Sequence, residues 1–115
     1  GPACHKGTDS CFTKKVWQSD EIAEFSMDGL YEMLKGRKRE MPEGSYTTLL
    51  FNKGVKKMAQ KVGEEAVETV IEAIAGNKER YIYESCDLLY HLFVLNEHFG
   101  VTLEDMEKEL LDRHS

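Results

Sequence analysis

Glu65-Ala66-Val67-Glu68 and Glu84-Ser85-Cys86-Asp87, with Gly76-Asn77 between them, decide how this chain folds. Each quartet carries two acids at i, i+3, so on a helix both carboxylates of a pair point the same way. The intervening residues 69–83 let one helix end, the chain turn at Gly76-Asn77 and a second helix run back. Four oxygen donors from two antiparallel helices could then converge on one hard cation.

Reading outward from that hairpin, every strong signal is helical. The helix carrying the first pair extends back to about Gly54, where a kink is expected, and closes at Gly76. Asn77 caps the next helix, Lys78 to about Phe99, which Gly100 ends. Thr102 with Asp105 has the spacing of a capping box for a last helix, Leu103 to about Arg113. Upstream, Ser45 caps a short helix through Tyr46, Leu49, Leu50 and Phe51. Met41-Pro42-Glu43-Gly44 is a loop. An earlier helix starts near Ser26 with the apolar stripe Leu30, Tyr31, Leu34, and frays at Gly36 and Arg37-Lys38-Arg39. Ser19 could instead cap an earlier turn through Asp20-Glu21-Ile22. No alternating period-2 pattern and no hairpin signal is present. The fold class is all-α, a bundle of four main helices. Residues 1–19 lack helical period and form a tail or linker, and 20–115 form the helical domain.

The chain has 115 residues, 41% hydrophobic and 31% charged, which suits one folded domain with a modest core. No apolar run approaches the roughly 20 residues that span a bilayer, so no membrane partner is expected. No signal-peptide pattern opens the sequence. A net charge of -6 argues against broad nucleic-acid binding. Of the three cysteines, Cys86 reads as a small buried hydrophobe, and Cys4 and Cys11 lie in a short polar segment. A reduced, cytoplasmic setting is expected.

On the first helix of the hairpin, Lys57, Lys61, Glu64, Glu65 and Glu68 share one face, with Val55, Ala59, Val62, Ala66, Val70 and Ala73 opposite. That alone describes any amphipathic helix with a solvated charged side. The second helix shifts the balance, because it is apolar almost all round and so reads as buried. Glu84, Asp87 and His91 nevertheless form a polar line on it, with Arg80 one turn earlier. Buried carboxylates need pairing, protonation or metal. An internal network, Glu84 with Arg80 or Asp87 with His91, is the rival to a metal site. His91 is either a group orienting a ligand or a satisfied core histidine. Arg37, Lys38 and Arg39 read as a solvated run, with phosphate contact as the alternative. So apolar a helix in so short a chain also points to a homodimer, with Tyr81, Tyr90 and Phe93 as candidate contacts.

Three stretches then carry a family resemblance: Pro42-Glu43-Gly44-Ser45-Tyr46-Thr47, Lys61-Val62-Gly63-Glu64-Glu65-Ala66-Val67-Glu68, and Glu84-Ser85-Cys86-Asp87-Leu88-Leu89-Tyr90-His91-Leu92. The chain resembles phosphoribosyl-ATP pyrophosphohydrolase, the second enzyme of histidine biosynthesis, over residues 26–114. The paired acids mark the wider MazG-like group of all-α nucleotide pyrophosphohydrolases, and the Ser-Tyr-Thr and Lys-x-Gly-Glu-Glu elements are closer to the histidine enzyme. The resemblance implies an intertwined homodimer and Mg²⁺-dependent hydrolysis of phosphoribosyl-ATP to phosphoribosyl-AMP and pyrophosphate. Glu65, Glu68, Glu84 and Asp87 would hold one or more Mg²⁺ ions, Glu64 would accept a proton from the attacking water or serve as a further ligand, and Lys61 and Lys57 would meet phosphate charge. Residues 1–12 resemble the end of phosphoribosyl-AMP cyclohydrolase, which is fused ahead of the other enzyme in many bacteria and plants. Cys4 and Cys11 match two of its three zinc cysteines. With the third and most of that domain absent, no zinc site is expected, since a closed site needs four ligands. Rival functions are a house-cleaning nucleoside triphosphate pyrophosphohydrolase of the same fold, a non-enzymatic helical interaction module, and a zinc-linked assembly domain.

Overall fold

A computed structural model describes residues 25–114, and among them are five helices and no strand. The tail at 1–19, Cys4, Cys11 and the Ser19 cap lie outside the described residues. The chain divides into two compact units, 1–33 and 34–115. The helices are α1 (Met27–Glu40), α2 (Tyr46–Lys53), α3 (Val55–Ala75), α4 (Lys78–Phe99) and α5 (Leu103–Arg113).

Helix α1 begins where Ser26 Oγ accepts the Gly29 N–H. It buries Leu30 and Tyr31 in the first unit and Leu34 in the second. It does not fray at Gly36. The basic run Arg37-Lys38-Arg39 forms its last turn, where cations face the negative end of the helix dipole. Met41, in a left-handed conformation at φ 50°, ends it and donates to the Arg37 carbonyl. Lys38 reaches out to accept a second duty, donating through Nζ to the Glu97 carbonyl at 2.7 Å near the end of α4.

Ser45 caps α2 through Thr48 N–H, and Gly54 at φ 94° separates α2 from α3 as a break rather than a kink. Gly76 closes α3 in the left-handed region, at φ 76°, and donates to the Glu72 and Ala73 carbonyls. Asn77 Oδ1 then accepts Arg80 N–H and opens α4. This two-residue link returns α4 along α3, and the two form the most extensively packed pair, with α2 laid against both. Thr102 and Asp105 form the reciprocal capping box that starts α5. In the second unit Leu34, Leu50, Met58, Tyr90, Phe93 and Val94 form the apolar core.

The faces of the hairpin run against expectation. Helix α3 buries Met58 and Glu65, not the stripe Val55, Ala59, Val70 and Ala73, which is exposed. Val62 and Ala66 are half-buried. Of its acids only Glu65 turns inward, while Glu64 and Glu68 stay exposed, and Val67, Val70, Ile71 and Ile74 project outward, with Ile74 82% exposed. On α4 the buried side carries Glu84, Tyr90, His91, Phe93 and Val94, while Tyr81, Ile82 and Leu89 are exposed. Cys86 is exposed rather than buried. Tyr90 and Phe93 are core residues rather than free contact surface, and Tyr81 alone of the three expected contacts is open. Among the described residues, no helix is long and apolar enough to cross a membrane.

Candidate metal centre

The link at Gly76-Asn77 sets the register of the acids. Glu65 lies eleven residues before Gly76 and Asp87 ten after Asn77, while Glu68 lies eight before and Glu84 seven after. At about 1.5 Å rise per residue, Glu65 comes level with Asp87 and Glu68 with Glu84. Glu65, Glu84 and Asp87 accordingly present carboxylate oxygens within 4.8 Å of one another. Glu65 and Glu84 are buried and Asp87 is half-buried. Glu68 is exposed and outside this close group, although it interacts with Glu84 and its charge reaches Glu65.

Each buried acid is satisfied on one side only. Arg80 Nη2 donates to Glu84 Oε2 at 3.0 Å, and Lys61 Nζ stands 3.8 Å from Glu65 Oε2. Among the described residues, Glu65 Oε1 and Glu84 Oε1 have no hydrogen-bond partner. Desolvation, then the Asp87 charge and the contact with Glu84, push the Glu65 carboxyl up to about 7. Desolvation leads the rise at Glu84 as well. Protonating such a pair, or binding a cation between its members, relieves the cost of burying them. The donor set is all oxygen and all carboxylate, which suits a hard divalent ion such as Mg²⁺, Mn²⁺ or Ca²⁺. The residues therefore fit the metal that the sequence implies.

The surrounding groups fall into two sets. Lys61 is half-buried and also lies 3.4 Å from Glu64. Glu64 is exposed, and the Gln60 amide hydrogen bond followed by Lys61 holds its carboxyl below the usual range. Lys57 is half-buried, and its charge also reaches Glu64. On the other flank, His91 Nδ1 lies 2.8 Å from the Asp87 backbone oxygen. His91 is thus bonded to the Asp87 main chain and to Tyr46, whose hydroxyl lies 2.8 Å from Nε2. The expected ion pair of Asp87 with His91 gives way to these two bonds, while the Arg80–Glu84 pair is present. Burial holds the imidazole pKa below its ordinary value.

Tyr46 had no assigned role in the sequence beyond its place in the Ser-Tyr-Thr element. The signal was that element itself, directly after a cap residue, which puts Tyr46 at the first position of α2. Of the basic run, Arg37 donates through Nη1 to Ser45 Oγ at 3.0 Å.

A model of the family described as phosphoribosyl-ATP pyrophosphohydrolase matches residues 27–114. The histidine biosynthesis bifunctional protein HisIE of Bacteroides thetaiotaomicron is 52% identical over the whole chain, which covers 55% of that protein. The HisIE protein of Bacillus subtilis is 46% identical over 100% of the chain and 56% of its own length. That of Thermotoga maritima is 43% identical over 96% of the chain and 57% of its own length. The chain therefore spans about half the length of these relatives. With that match covering all five helices and both acidic pairs, the chain belongs to the phosphoribosyl-ATP pyrophosphohydrolase family.

Proposed function

We propose that this chain hydrolyses phosphoribosyl-ATP to phosphoribosyl-AMP and pyrophosphate, the second step of histidine biosynthesis, with Mg²⁺ held by Glu65, Glu84 and Asp87 and supported by Glu68. The carrying observation is the buried carboxylate cluster with two unpartnered oxygens, in a chain of this family. A divalent ion there would offset phosphate charge and make a neighbouring water more acidic. The chain's own residues do the rest. Lys61 supplies positive charge where the pyrophosphate departs, and Lys57 adds to it. Glu64 stays ionised and exposed at the rim, where it can take a proton from the attacking water as the bond between the α and β phosphates breaks. Burial of Glu65 and Glu84 keeps bulk water from screening the charges that meet the triphosphate.

The proposal extends to the assembly. The outward side chains Val67, Val70, Ile71 and Ile74 form an apolar face on the side of α3 away from the cluster, too apolar to leave in water, and a second copy covers it in a homodimer. The intertwined arrangement that the resemblance implies is part of this reading. Residues 1–19 would be the end of a phosphoribosyl-AMP cyclohydrolase domain, with Cys4 and Cys11 matching two of that domain's zinc ligands, and 20–115 the pyrophosphohydrolase domain. The setting would be cytoplasmic.

The test is pyrophosphate release from phosphoribosyl-ATP, with Mg²⁺, with chelator and after Mg²⁺ is restored. Release that is lost and regained with the metal is expected. Equal release in chelator removes the metal, and no release with Mg²⁺ removes the activity. A panel of ordinary nucleoside triphosphates run beside it separates the house-cleaning alternative.

A further inference from the structure

The aromatic group beside the carboxylates has no part in the chemistry above. Tyr46 opens α2, and its ring is restrained by two neighbours, His91 and Tyr90. The Asp87 carbonyl can only accept, so His91 Nδ1 carries the imidazole proton and Nε2 accepts from the Tyr46 hydroxyl. The Tyr46 ring lies nearly parallel to Tyr90, with centroids 6.1 Å apart at 21°. His91 meets it edge-on at 5.8 Å and 86°. Tyr90 is buried and hydrogen-bonded to Thr47, so the surface behind Tyr46 is fixed. Tyr46 nevertheless remains 44% exposed. A side chain held this way has lost its rotamer freedom before a ligand arrives, which lowers the cost of binding.

Through His91 the ring is tied to the Asp87 main chain, next to the acids. After burial, the charges of Asp87, Glu65 and Glu64 act on the phenol and raise its pKa, so the ring stands neutral beside the cluster. A nucleotide whose phosphates lie at those acids must place its base nearby. An open, neutral aromatic surface suits a purine face and is indifferent to the phosphates.

We propose that Tyr46 is the base platform of this site: its restrained, half-open ring stacks the purine while the phosphates lie at Glu65, Glu84 and Asp87. This rests on the phosphoribosyl-ATP reading and adds a specificity-determining residue to it. The His91 hydrogen bond sets the angle of the platform, and Tyr90 backs it.

Steady-state kinetics of the full chain with Tyr46→Leu and Tyr46→Phe test the assignment. Tyr46→Leu raises KM for phosphoribosyl-ATP roughly ten- to hundredfold, the range for loss of one base–aromatic stack. Inhibition by pyrophosphate, which has no base, changes less than about twofold, since the phosphate end is untouched. Tyr46→Phe recovers most of the lost affinity because the ring is kept. An unchanged KM in Tyr46→Leu overturns the proposal. So does equal weakening of substrate and pyrophosphate, or a Tyr46→Phe variant as weak as Tyr46→Leu.

A second measurement needs no variant for binding. In wild-type protein with labelled tyrosine rings, with Tyr46 assigned by its absence in Tyr46→Phe, AMP shifts the Tyr46 ring resonances and pyrophosphate does not. No shift with AMP, or the same shift with both, overturns the platform. Wild-type protein that releases no pyrophosphate from phosphoribosyl-ATP overturns the activity instead, and the AMP titration still decides the platform.

Discussion

Glu65 concentrates the tension of the site in one side chain. It is 6% exposed, sits against two other acids, and among the described residues has the 3.8 Å contact with Lys61 as compensation. Its folded pKa of about 7 lies above the ordinary 4.5, so the folded state holds a proton that the unfolded chain releases. Its contribution is therefore fully present below about pH 4.5 and is lost as pH rises through 7. Metal-free wild type should lose melting temperature over that window relative to Glu65→Gln, whose amide mimics the protonated acid. The difference should be on the order of 2–3 kcal/mol at most, read as several degrees by calorimetry, and a parallel pair of pH profiles removes the assignment. Above pH 7, Mg²⁺ should recover the loss in wild type and not in the variant.

The other acids make a kinetic prediction. Asp87→Asn and Glu84→Gln keep the helices but remove charge from the metal centre, so turnover should fall by about two orders of magnitude or more, as for direct metal and transition-state contacts. Circular dichroism should stay helical. Glu68→Gln, at the exposed edge, should lose less. Wild-type-like turnover in Asp87→Asn would take that carboxylate out of the mechanism.

Among the elements, the α3–α4 link matters most, because it places acids from two helices at matching heights. Gly76 adopts φ 76°, where a Cβ is strained whatever the free space around it. Gly76→Ala should cost about 1 kcal/mol by chemical denaturation. The strain should also loosen the register, so the Mg²⁺ concentration at half-maximal activity should rise. A variant as stable as wild type would show that the link relaxes freely. Helix α3 also explains why the amphipathic pattern misled. Two chemically distinct faces are visible in the sequence, but which one faces α4 depends on the partner. Glu65 turned inward to meet Glu84 and Asp87 while Glu64 and Glu68 stayed exposed, and Ile71 and Ile74 are left in water.

For the whole molecule, that outward face makes the assembly testable. A homodimer would bury Ile71 and Ile74, so Ile71→Asp with Ile74→Asp should turn a dimer into a monomer in sedimentation velocity. A wild-type chain that sediments as a monomer at micromolar concentration would end the dimer proposal. By itself, the amino-acid sequence determined the helices, their caps at Ser45, Asn77 and Thr102, and the acid pairs, because caps, glycine stops and i, i+3 spacing act within a few residues. The tertiary structure alone decided that three acids cluster while Glu68 stays at the edge, that Cys86 is exposed, and that His91 holds Tyr46 rather than a carboxylate. Those outcomes depend on how one helix is rotated against another, and rotation is set by packing across the hairpin that no local stretch encodes.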